Sequence, residues 1–399
     1  MSRGLIRAVA AIWGAGLVAG CGSPPARDPA PPPLVPPLST SLVTGQGTWA
    51  VMVMGHPAAE QDSFWQLFVR PAGASRWSLV TPQGVADNGG LVAAGGSGSV
   101  TVGFRPSQNL SFSPLATSTD AGRNWTPGLL DAGLASTPGA IAVGPSGRTL
   151  ALLLDGTIEA AATAGSAAAG QWSVLVTRKM LAASAQGRRC GLTGVNAVSF
   201  GPDKNPIAAG SCARPGVAGV FADAGGTWRP TGPGLPGAGP GAGPGMGPGM
   251  GPGMGPGMGR VQALGLATTA DGNVALLAVS TPGGNSLLAA WWDGTRWTVS
   301  GRAAAGTVRA FGFGPGGGTW VLLSGGRAES IGGPGRAAQA LPPVPAGTQA
   351  LAPGTGGSYD ALAAAGSRLT VWRLGERSWA RVQQVTVPVQ YGSSGQEGS

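Results

Sequence analysis

Residues 118–125 read STDAGRNW, with four residue types at the fixed spacing S-x-D-x-G-x-x-W. The four positions are Ser118, Asp120, Gly122 and Trp125. A short Asp accepts backbone N–H groups in a tight turn, Gly permits a positive φ, and Trp buries a large apolar surface against neighbouring strands. The run therefore predicts a structural turn. The functional alternative is a calcium loop, but one carboxylate is too few unless backbone carbonyls supply the other oxygens.

Two weaker copies of this pattern occur later in the chain, in FADAGGTW (221–228) and WDGTRW (292–297). The retained positions are Asp223, Gly225, Trp228, Asp293 and Trp297. Phe221 replaces the serine in the first copy, and the second is one residue shorter. Repetition of the turn indicates that the chain is built from similar units.

A longer repeat surrounds these turns: an apolar strand, a Gly-rich turn and a second apolar strand. It occurs seven times, at 41–55, 90–104, 140–154, 197–210, 263–279, 310–325 and 350–364. Six units continue to a third strand and a turn that ends in tryptophan, at Trp77, Trp125, Trp172, Trp228, Trp297 and Trp379. The sixth unit has Trp320 in its second strand instead. A spacing of roughly 40 to 57 residues suits four-stranded blades, so we predict an all-β, seven-bladed β-propeller over 41–391.

Composition supports this fold class. With 74 Gly and 35 Pro among 399 residues, long helices are disfavoured and short strands joined by turns are favoured. The net charge of +9 raises the possibility of nucleic-acid binding. However, the arginines are scattered and no basic run is interleaved with aromatic residues, so we expect no nucleic-acid partner.

The S-x-D-x-G-x-x-W runs resemble the Asp-box, or bacterial neuraminidase repeat, of sialidase-like β-propellers. This resemblance implies that each box closes a hairpin between the outer strands of a blade, away from the central channel. It also implies a sialidase-type hydrolase as the alternative function. Sialidases use a Tyr activated by Glu, an arginine cluster and an Asp acid/base. This chain offers only Tyr359 and Tyr391, few glutamates, and Arg105 in an incomplete arginine motif. We therefore assign no catalytic residue and no cofactor.

The N-terminus reads MSRGLIRAVAAIWGAGLVAGCGS and resembles a bacterial lipoprotein signal over residues 1–20. Two arginines precede an apolar stretch too short to span a bilayer stably, and small residues precede Cys21. The resemblance implies lipidation of Cys21 and anchoring on the outer side of the cell membrane. The alternative is an ordinary signal peptide. The Pro-rich segment 21–40 is then a tether of roughly 50 Å that holds the propeller away from the membrane.

The remaining cysteines, Cys190 and Cys212, form an even pair in a chain predicted to be exported. In an oxidising compartment such a pair favours a disulfide that closes a local loop. A metal pair and two free thiols remain the alternatives. The chain shows neither a C-x-x-C spacing nor a histidine close to the pair.

Three further segments are interpreted from composition. Residues 231–259 repeat Gly and Pro with a period of four, which blocks both helix and ladder and predicts a disordered insertion. Its four methionines (246, 250, 254 and 258) suggest capture of Cu(I), against an incidental origin in repetitive DNA, which we favour. The segment QVTVPVQY (384–391) alternates valines and predicts a last strand that pairs within the first blade. Residues 392–399 predict a disordered tail.

These observations together predict a monomeric, envelope-anchored lipoprotein that binds or scaffolds without catalysis. The expected partner is an envelope protein, a glycan or a cell-wall polymer, and no metal site is expected. Propeller blades present variable loops on a rigid frame, which suits recognition.

Overall fold

A computed structural model of the 399-residue chain describes residues of one compact unit, Pro37–Ser399. The described residues are 38–56, 63–82, 91–95, 98–104, 114–129, 138–215, 217–231, 260–269, 271–281, 286–299, 307–314, 316–334, 336–354 and 357–388. The predicted signal, Cys21, the Gly/Pro/Met repeats and the tail therefore lie outside the described residues, as does Arg105.

The described strands form seven consecutive antiparallel meanders of four strands each. The first contains β1 (Leu38–Thr44), β2 (Gly47–Gly55), β3 (Ser63–Pro71) and β4 (Ser78–Leu79). The second contains β5 (Leu91–Gly95), β6 (Val100–Phe104), β7 (Pro114–Ser118) and β8 (Thr126–Leu129). The third contains β9 (Ala140–Val143), β10 (Thr149–Leu152), β11 (Ile158–Ala161) and β12 (Ser173–Val176), with helix α1 (Ala164–Ala168) before its last strand.

Two short helices, α2 (Arg178–Ala183) and α3 (Ala185–Cys190), connect the third meander to the fourth. The fourth meander contains β13 (Leu192–Phe200), β14 (Pro206–Cys212), β15 (Gly219–Asp223) and β16 (Trp228–Pro230). The fifth contains β17 (Arg260–Thr268), β18 (Val274–Thr281), β19 (Ser286–Trp292) and β20 (Trp297–Val299). The sixth contains β21 (Val308–Phe313), β22 (Thr319–Leu323), a 3₁₀ turn (Ser324–Gly326), β23 (Ala328–Ile331) and β24 (Ala338–Leu341). The seventh contains β25 (Thr348–Pro353), β26 (Tyr359–Ala365), β27 (Arg368–Leu374) and β28 (Trp379–Thr386).

Six hydrophobic core clusters of the described residues each lie between two meanders that are consecutive in the chain. Trp49 and Val51 of the first meander, for example, pack with Val100 and Val102 of the second. The series continues through the third to the seventh meander. A further cluster joins the seventh meander to the first. It contains Leu362 of the seventh meander together with residues of strands β2 and β3. Pairwise packing of four-stranded meanders in this cyclic order is an all-β arrangement of propeller type.

The junction of the first, sixth and seventh meanders is closed by hydrogen bonds. Strands β1 and β21 pair in parallel and merge the first and sixth meanders into one eight-stranded sheet. The buried Ser41 hydroxyl donates to the Leu351 carbonyl in the seventh meander at 2.5 Å and accepts from the Trp320 indole in the sixth at 2.7 Å. Gly312 permits this approach, because a Cβ there would lie 2.3 Å from the Ser41 Oγ.

Two glutamines join the seventh meander to the first. The Gln349 side chain accepts from the Val53 N–H at 2.8 Å and donates to the Val53 carbonyl at 2.7 Å. Gln383 makes the same pair of bonds with the backbone of Trp77. An amide side chain that bonds both backbone groups of one residue replaces a missing strand partner. The interface between the last and first meanders is therefore joined through side chains.

The prediction that 384–391 pairs within the first meander is wrong for the described part of that segment. Residues up to Thr386 belong to β28, which pairs with β27 of the seventh meander. The alternating valines fit an outer strand of either meander, so their pattern did not distinguish the two partners. Val387 does reach the core shared with the first meander, but as a packed side chain. At the other end, β1 begins at Leu38, inside the segment 21–40 assigned to the tether.

The connections between strands lie at two opposite ends of each antiparallel meander, and each end has its own kind of connection. The turns between first and second strands and between third and fourth strands lie at one end, here named the turn edge. The turns between second and third strands and the connections between meanders lie at the other, the loop edge. Turn edges of neighbouring meanders meet, as where Gln46 bonds Gly98 and Ala121 of the next meander. Loop edges meet likewise, at the bridge between Gly55 and Gly366.

Candidate functional site

The octamer Ser118–Trp125 forms the turn between β7 and β8, at the turn edge. Asp120 accepts from the Ser118 hydroxyl and the Asn124 backbone N–H, both at 2.9 Å, and from the Asn124 side-chain amide at 2.6 Å. The Ser118 hydroxyl in turn accepts from the Gly122 N–H at 2.8 Å. Gly122 and Ala121 both have positive φ, of 80° and 60°. The side chains of the octamer thus satisfy the backbone of their own turn.

These hydrogen bonds stabilise the charged form of Asp120. The backbone and side-chain N–H groups of Asn124 lower the pKa of the Asp120 carboxyl to about 2. The pKa of Asp293 is lowered to about 2 for the same reason, first by the Arg296 N–H and then by Thr295. A carboxylate held ionised by N–H donors is poorly suited to act as a general acid near neutral pH.

The other two copies also lie between third and fourth strands. Asp223 accepts from the Gly226 N–H at 2.7 Å, and Asp293 accepts from the Thr295 and Arg296 N–H groups at 2.8 Å each. One oxygen of each of these two carboxylates is therefore engaged by N–H groups of its own turn. Among the described residues, no group of three or more His, Cys, Asp or Glu side chains could hold a metal ion. His56, the one histidine, is exposed just after β2.

Three of the tryptophans that begin fourth strands or precede them attach their meander to the preceding one. The Trp125 indole donates to the Val80 carbonyl at 2.9 Å, just after the fourth strand of the first meander. Two later bonds follow the same rule, both at 3.2 Å: Trp297 to Thr231, after β16, and Trp379 to Pro342, after β24. The repeated Trp is thus explained by an inter-meander hydrogen bond in addition to its burial.

A buried ionic cluster, which we did not identify from the sequence, lies near the turn edge between the first and seventh meanders. Asp360 is fully buried in β26 and pairs with Arg373 at 2.8 Å and with Arg70 at 3.4 Å. Its second oxygen also accepts from the Trp77 indole at 2.9 Å. Burial lowers the pKa of Arg70, whereas the hydrogen bond from Arg373 to Asp360 raises the pKa of Arg373. A single Asp in an apolar strand was the available sequence signal, because a buried carboxylate requires cationic partners.

At the loop edge, the predicted disulfide between Cys190 and Cys212 is confirmed. It joins the end of α3 to the end of β14 and packs against Val217. Thr177 and Ser184 cap the two helices, and α3 ends at Gly191 with φ of 64°. A Cβ on Gly187 would meet the Leu181 carbonyl at 2.0 Å, so only glycine allows the helices to pack this closely. The helical pair α2–α3 is therefore firmly fixed to the meanders.

Charge is divided unequally between the two edges of the described residues. The turn edge carries both signs, with cations at Arg76, Arg123, Arg148, Lys204, Arg296, Arg336 and Arg377 and acids at Asp120, Asp203, Asp271, Asp293 and Glu376. Among the described residues, the loop edge carries exposed cations at Arg178, Lys179, Arg188, Arg189, Arg214, Arg260, Arg327 and Arg368, against one exposed acid, Asp155. Glu159 and Glu329 are buried inside strands. The positive potential of the described surface is therefore concentrated on the loop edge.

Of the residues named for the sialidase alternative, Tyr359 lies among the described residues, whereas Tyr391 and Arg105 do not. The Tyr359 hydroxyl bonds the Ser330 hydroxyl of the sixth meander. Glu376 is exposed in the turn before β28. No helix among the described residues is long and apolar enough to cross a membrane.

No protein-family model and no curated protein sequence matches this chain. Solved structures with a similar fold include YCF48 from Cyanidioschyzon merolae, at 14% identity and a TM-score of 0.45, covering 85% of this chain and 94% of that one. A putative 6-phosphogluconolactonase from Bacteroides uniformis is similar at 14% identity and 0.47, covering 84% and 96%. The six-bladed Aleuria aurantia lectin is similar at 13% identity and 0.39, covering 88% and 96%. These proteins differ in activity, so fold alone transfers none of their functions to this chain.

Proposed function

We propose that this protein is an envelope-anchored lipoprotein that works as a non-enzymatic binding or scaffolding module through the loop edge of a seven-bladed β-propeller. The observation that carries the proposal is the contrast between the two edges. The turn edge holds short turns whose polar side chains bond their own backbone or a neighbouring meander. The described part of the loop edge combines many exposed cations with a single exposed acid, and recognition residues commonly lie on loops fixed by a rigid frame.

The seven-bladed architecture is supported by seven meanders whose core clusters follow one another cyclically. The Asp-box assignment is supported by the position of all three copies between third and fourth strands. Lipidation at Cys21 and an extracytoplasmic location are proposed from the sequence around that residue. The disulfide agrees with an oxidising compartment.

The anchor is tested with Cys21→Ser in the native organism. The parent protein should partition with membranes and carry a lipid mass on its N-terminal peptide. The variant should lose both properties while the Cys190–Cys212 disulfide still forms. Unchanged membrane association and mass would overturn the lipoprotein assignment.

The binding edge is tested by photo-crosslinking in the intact envelope. A crosslinking amino acid is placed at Arg214 or Arg368 of the loop edge, and, as matched controls in the same two meanders, at Lys204 or Arg377 of the turn edge. We expect discrete adducts to envelope protein, glycan or wall polymer from the loop-edge positions alone. Adducts of equal yield from the turn edge would contradict the assignment of the binding edge.

The non-enzymatic part is tested with a panel of fluorogenic glycosides. We expect no turnover above buffer. Turnover that Tyr359→Phe abolishes, with the melting temperature unchanged, would establish the sialidase-type alternative in place of a binding module.

A further inference from the structure

Exposed apolar side chains and cations occur together on one part of the loop edge. Of the five large apolar side chains that are exposed among the described residues, two lie in connections of the loop edge: Leu154 at 74% and Met180 at 56%. Leu154 lies in the turn between β10 and β11, and Met180 lies in α2. Scattered single apolar residues are ordinary, but a concentration beside charged residues marks an interaction surface.

The turn that carries Leu154 adjoins α2 directly. A Cβ on Gly156 would lie 3.0 Å from the Cβ of Arg178, the first residue of α2. Leu181, which follows Met180, is buried in the core between the third and fourth meanders, so α2 is fixed with Met180 outward. We name as the basic–apolar patch the residues Leu154, Arg178, Lys179, Met180, Arg188 and Arg189.

The patch has almost no negative charge. No acidic residue occurs in the sequence from 160 to 202. Asp155 lies beside Leu154, and its carboxylate accepts from the Thr157 N–H at 2.8 Å and from the Thr157 hydroxyl at 3.0 Å. The patch thus contains four exposed cations, and one exposed acid, Asp155, adjoins it in sequence. The complementary surface must be anionic.

We propose that the basic–apolar patch docks the domain onto an anionic phospholipid surface. Such a surface presents phosphates to Lys and Arg and an acyl boundary into which exposed leucine and methionine side chains insert. Long basic side chains suit this interface because their aliphatic stems lie against apolar groups while their charges reach the phosphates. A soluble polyanion would use the cations alone and would leave Leu154 and Met180 without a role. The inference does not depend on the proposed lipid anchor.

The test uses the chain from residue 21 onward carrying Cys21→Ser, which keeps every described strand, core cluster and the disulfide. Binding is measured by co-sedimentation with vesicles of equal parts phosphatidylcholine and phosphatidylglycerol, and with phosphatidylcholine alone. We expect binding to the anionic vesicles that weakens as salt is added, and little binding to the neutral ones.

Matched variants locate the surface. Lys179→Gln with Arg189→Gln should weaken binding about 30-fold, since each cation near the membrane contributes roughly fivefold. The control, Lys204→Gln with Arg377→Gln, removes the same two charges from the turn edge and should bind like the parent. Leu154→Ser with Met180→Ser should weaken binding about tenfold or more through loss of apolar insertion. Thermal melts of all variants verify folding.

Three results would overturn the proposal. The first is no preference for anionic over neutral vesicles. The second is equal loss of binding in the turn-edge control. The third is a pair of observations. Binding to soluble dextran sulfate depends on Lys179 and Arg189, and Leu154→Ser with Met180→Ser leaves vesicle binding unchanged. This result would make the patch a site for soluble polyanions. If a patch variant fails to fold, the salt and lipid dependence of the parent protein still decides whether the protein prefers anionic vesicles.

Discussion

The turn edge and the loop edge of the meanders differ in regularity, charge and side-chain chemistry. Five turns between first and second strands share one geometry, in which the first residue N–H donates to the carbonyl of the fifth, at 2.7 to 2.8 Å; they start at Gly144, Gly201, Thr269, Gly314 and Gly354. The loop edge has connections of varied length, two helices and a disulfide. Repeated geometry indicates a role common to all meanders, which is stability, whereas variation is expected where a partner is recognised.

This comparison makes a general prediction about substitutions. Substitutions that remove hydrogen bonds, buried charges or positive-φ glycines at the turn edge should lower stability without affecting binding, and exchanges of exposed loop-edge cations should weaken binding without lowering stability.

Asp360→Ala should destabilise the protein by about 3 to 5 kcal/mol, because it leaves the buried Arg70 and the partly buried Arg373 without their carboxylate. The measurement is chemical denaturation followed by tryptophan fluorescence. The control is Arg368→Ala, an exposed loop-edge residue of the same meander, which should change stability by less than about 0.5 kcal/mol. A loss below about 1 kcal/mol for Asp360→Ala would show that the cluster does not hold the last meander to the first.

The disulfide lies at the loop edge but contributes to stability, so it is an exception to the separation between a stabilising turn edge and a binding loop edge. Cys190→Ala with Cys212→Ala should cost about 3 kcal/mol, as expected for a loop whose ends are 22 residues apart. Denaturation midpoints with and without reductant measure the effect. Reductant should reproduce the loss in the parent protein and leave the double variant unchanged. If the parent is insensitive to reductant under denaturing conditions, the bond does not contribute in the way proposed.

The sequence predicted features that depend on neighbours along the chain. The Gly-rich turns, the seven strand pairs and the octamer were recognisable because a turn needs its glycine and its Asp within a few residues. Strand pairs at all seven predicted units are present in the structure, from β1–β2 to β25–β26. The disulfide was predictable because only two cysteines remained once Cys21 was assigned to lipid.

Features that join distant parts of the chain were not predictable in this way. Arg70 and Asp360 are 290 positions apart, and nothing in either local sequence indicates the other. The parallel pairing of β1 with β21 also depends on how the meanders pack, since both strands have the same apolar pattern as their relatives. The basic–apolar patch is likewise a property of the folded surface, because it joins Leu154 to helices later in the chain.

The shared turn geometry can be tested at one backbone position. Its fourth residue has a positive φ, which is 79° at Gly272 and 63° at Lys204. Gly272→Ala should cost about 1 kcal/mol, and since no atom lies within 4 Å of the new Cβ, the cost comes from φ alone. Lys204→Gly should stabilise by up to about 1 kcal/mol by relieving the same strain.

Gly45→Ala serves as the control for these two changes, because its added Cβ also meets open space and its φ is not in the left-handed region. It should alter stability by only a few tenths of a kcal/mol. Thermal unfolding of the three variants gives the comparison directly. Destabilisation by Lys204→Gly would mean that its side chain contributes more than its backbone strain costs.

The carboxylate of the octamer should make stability depend on pH in acid. Because the folded-state pKa of Asp120 is depressed to about 2, its contribution to stability is complete above its unfolded pKa near 4 and is lost as the pH falls from there through about 2. Asp120→Asn should therefore flatten the fall in melting temperature over this window, most clearly against the parent at the same salt. Asp293 has a similarly depressed pKa, so the single variant should keep part of the slope and Asp120→Asn with Asp293→Asn should lose more of it.

Crosslinking from Arg214 and Arg368 should be unchanged in both variants, since the affected turns lie at the opposite edge from the proposed binding surface. A variant that keeps the full acid slope would assign the acid sensitivity to other carboxylates, and a change in crosslinking would break the separation between the two edges.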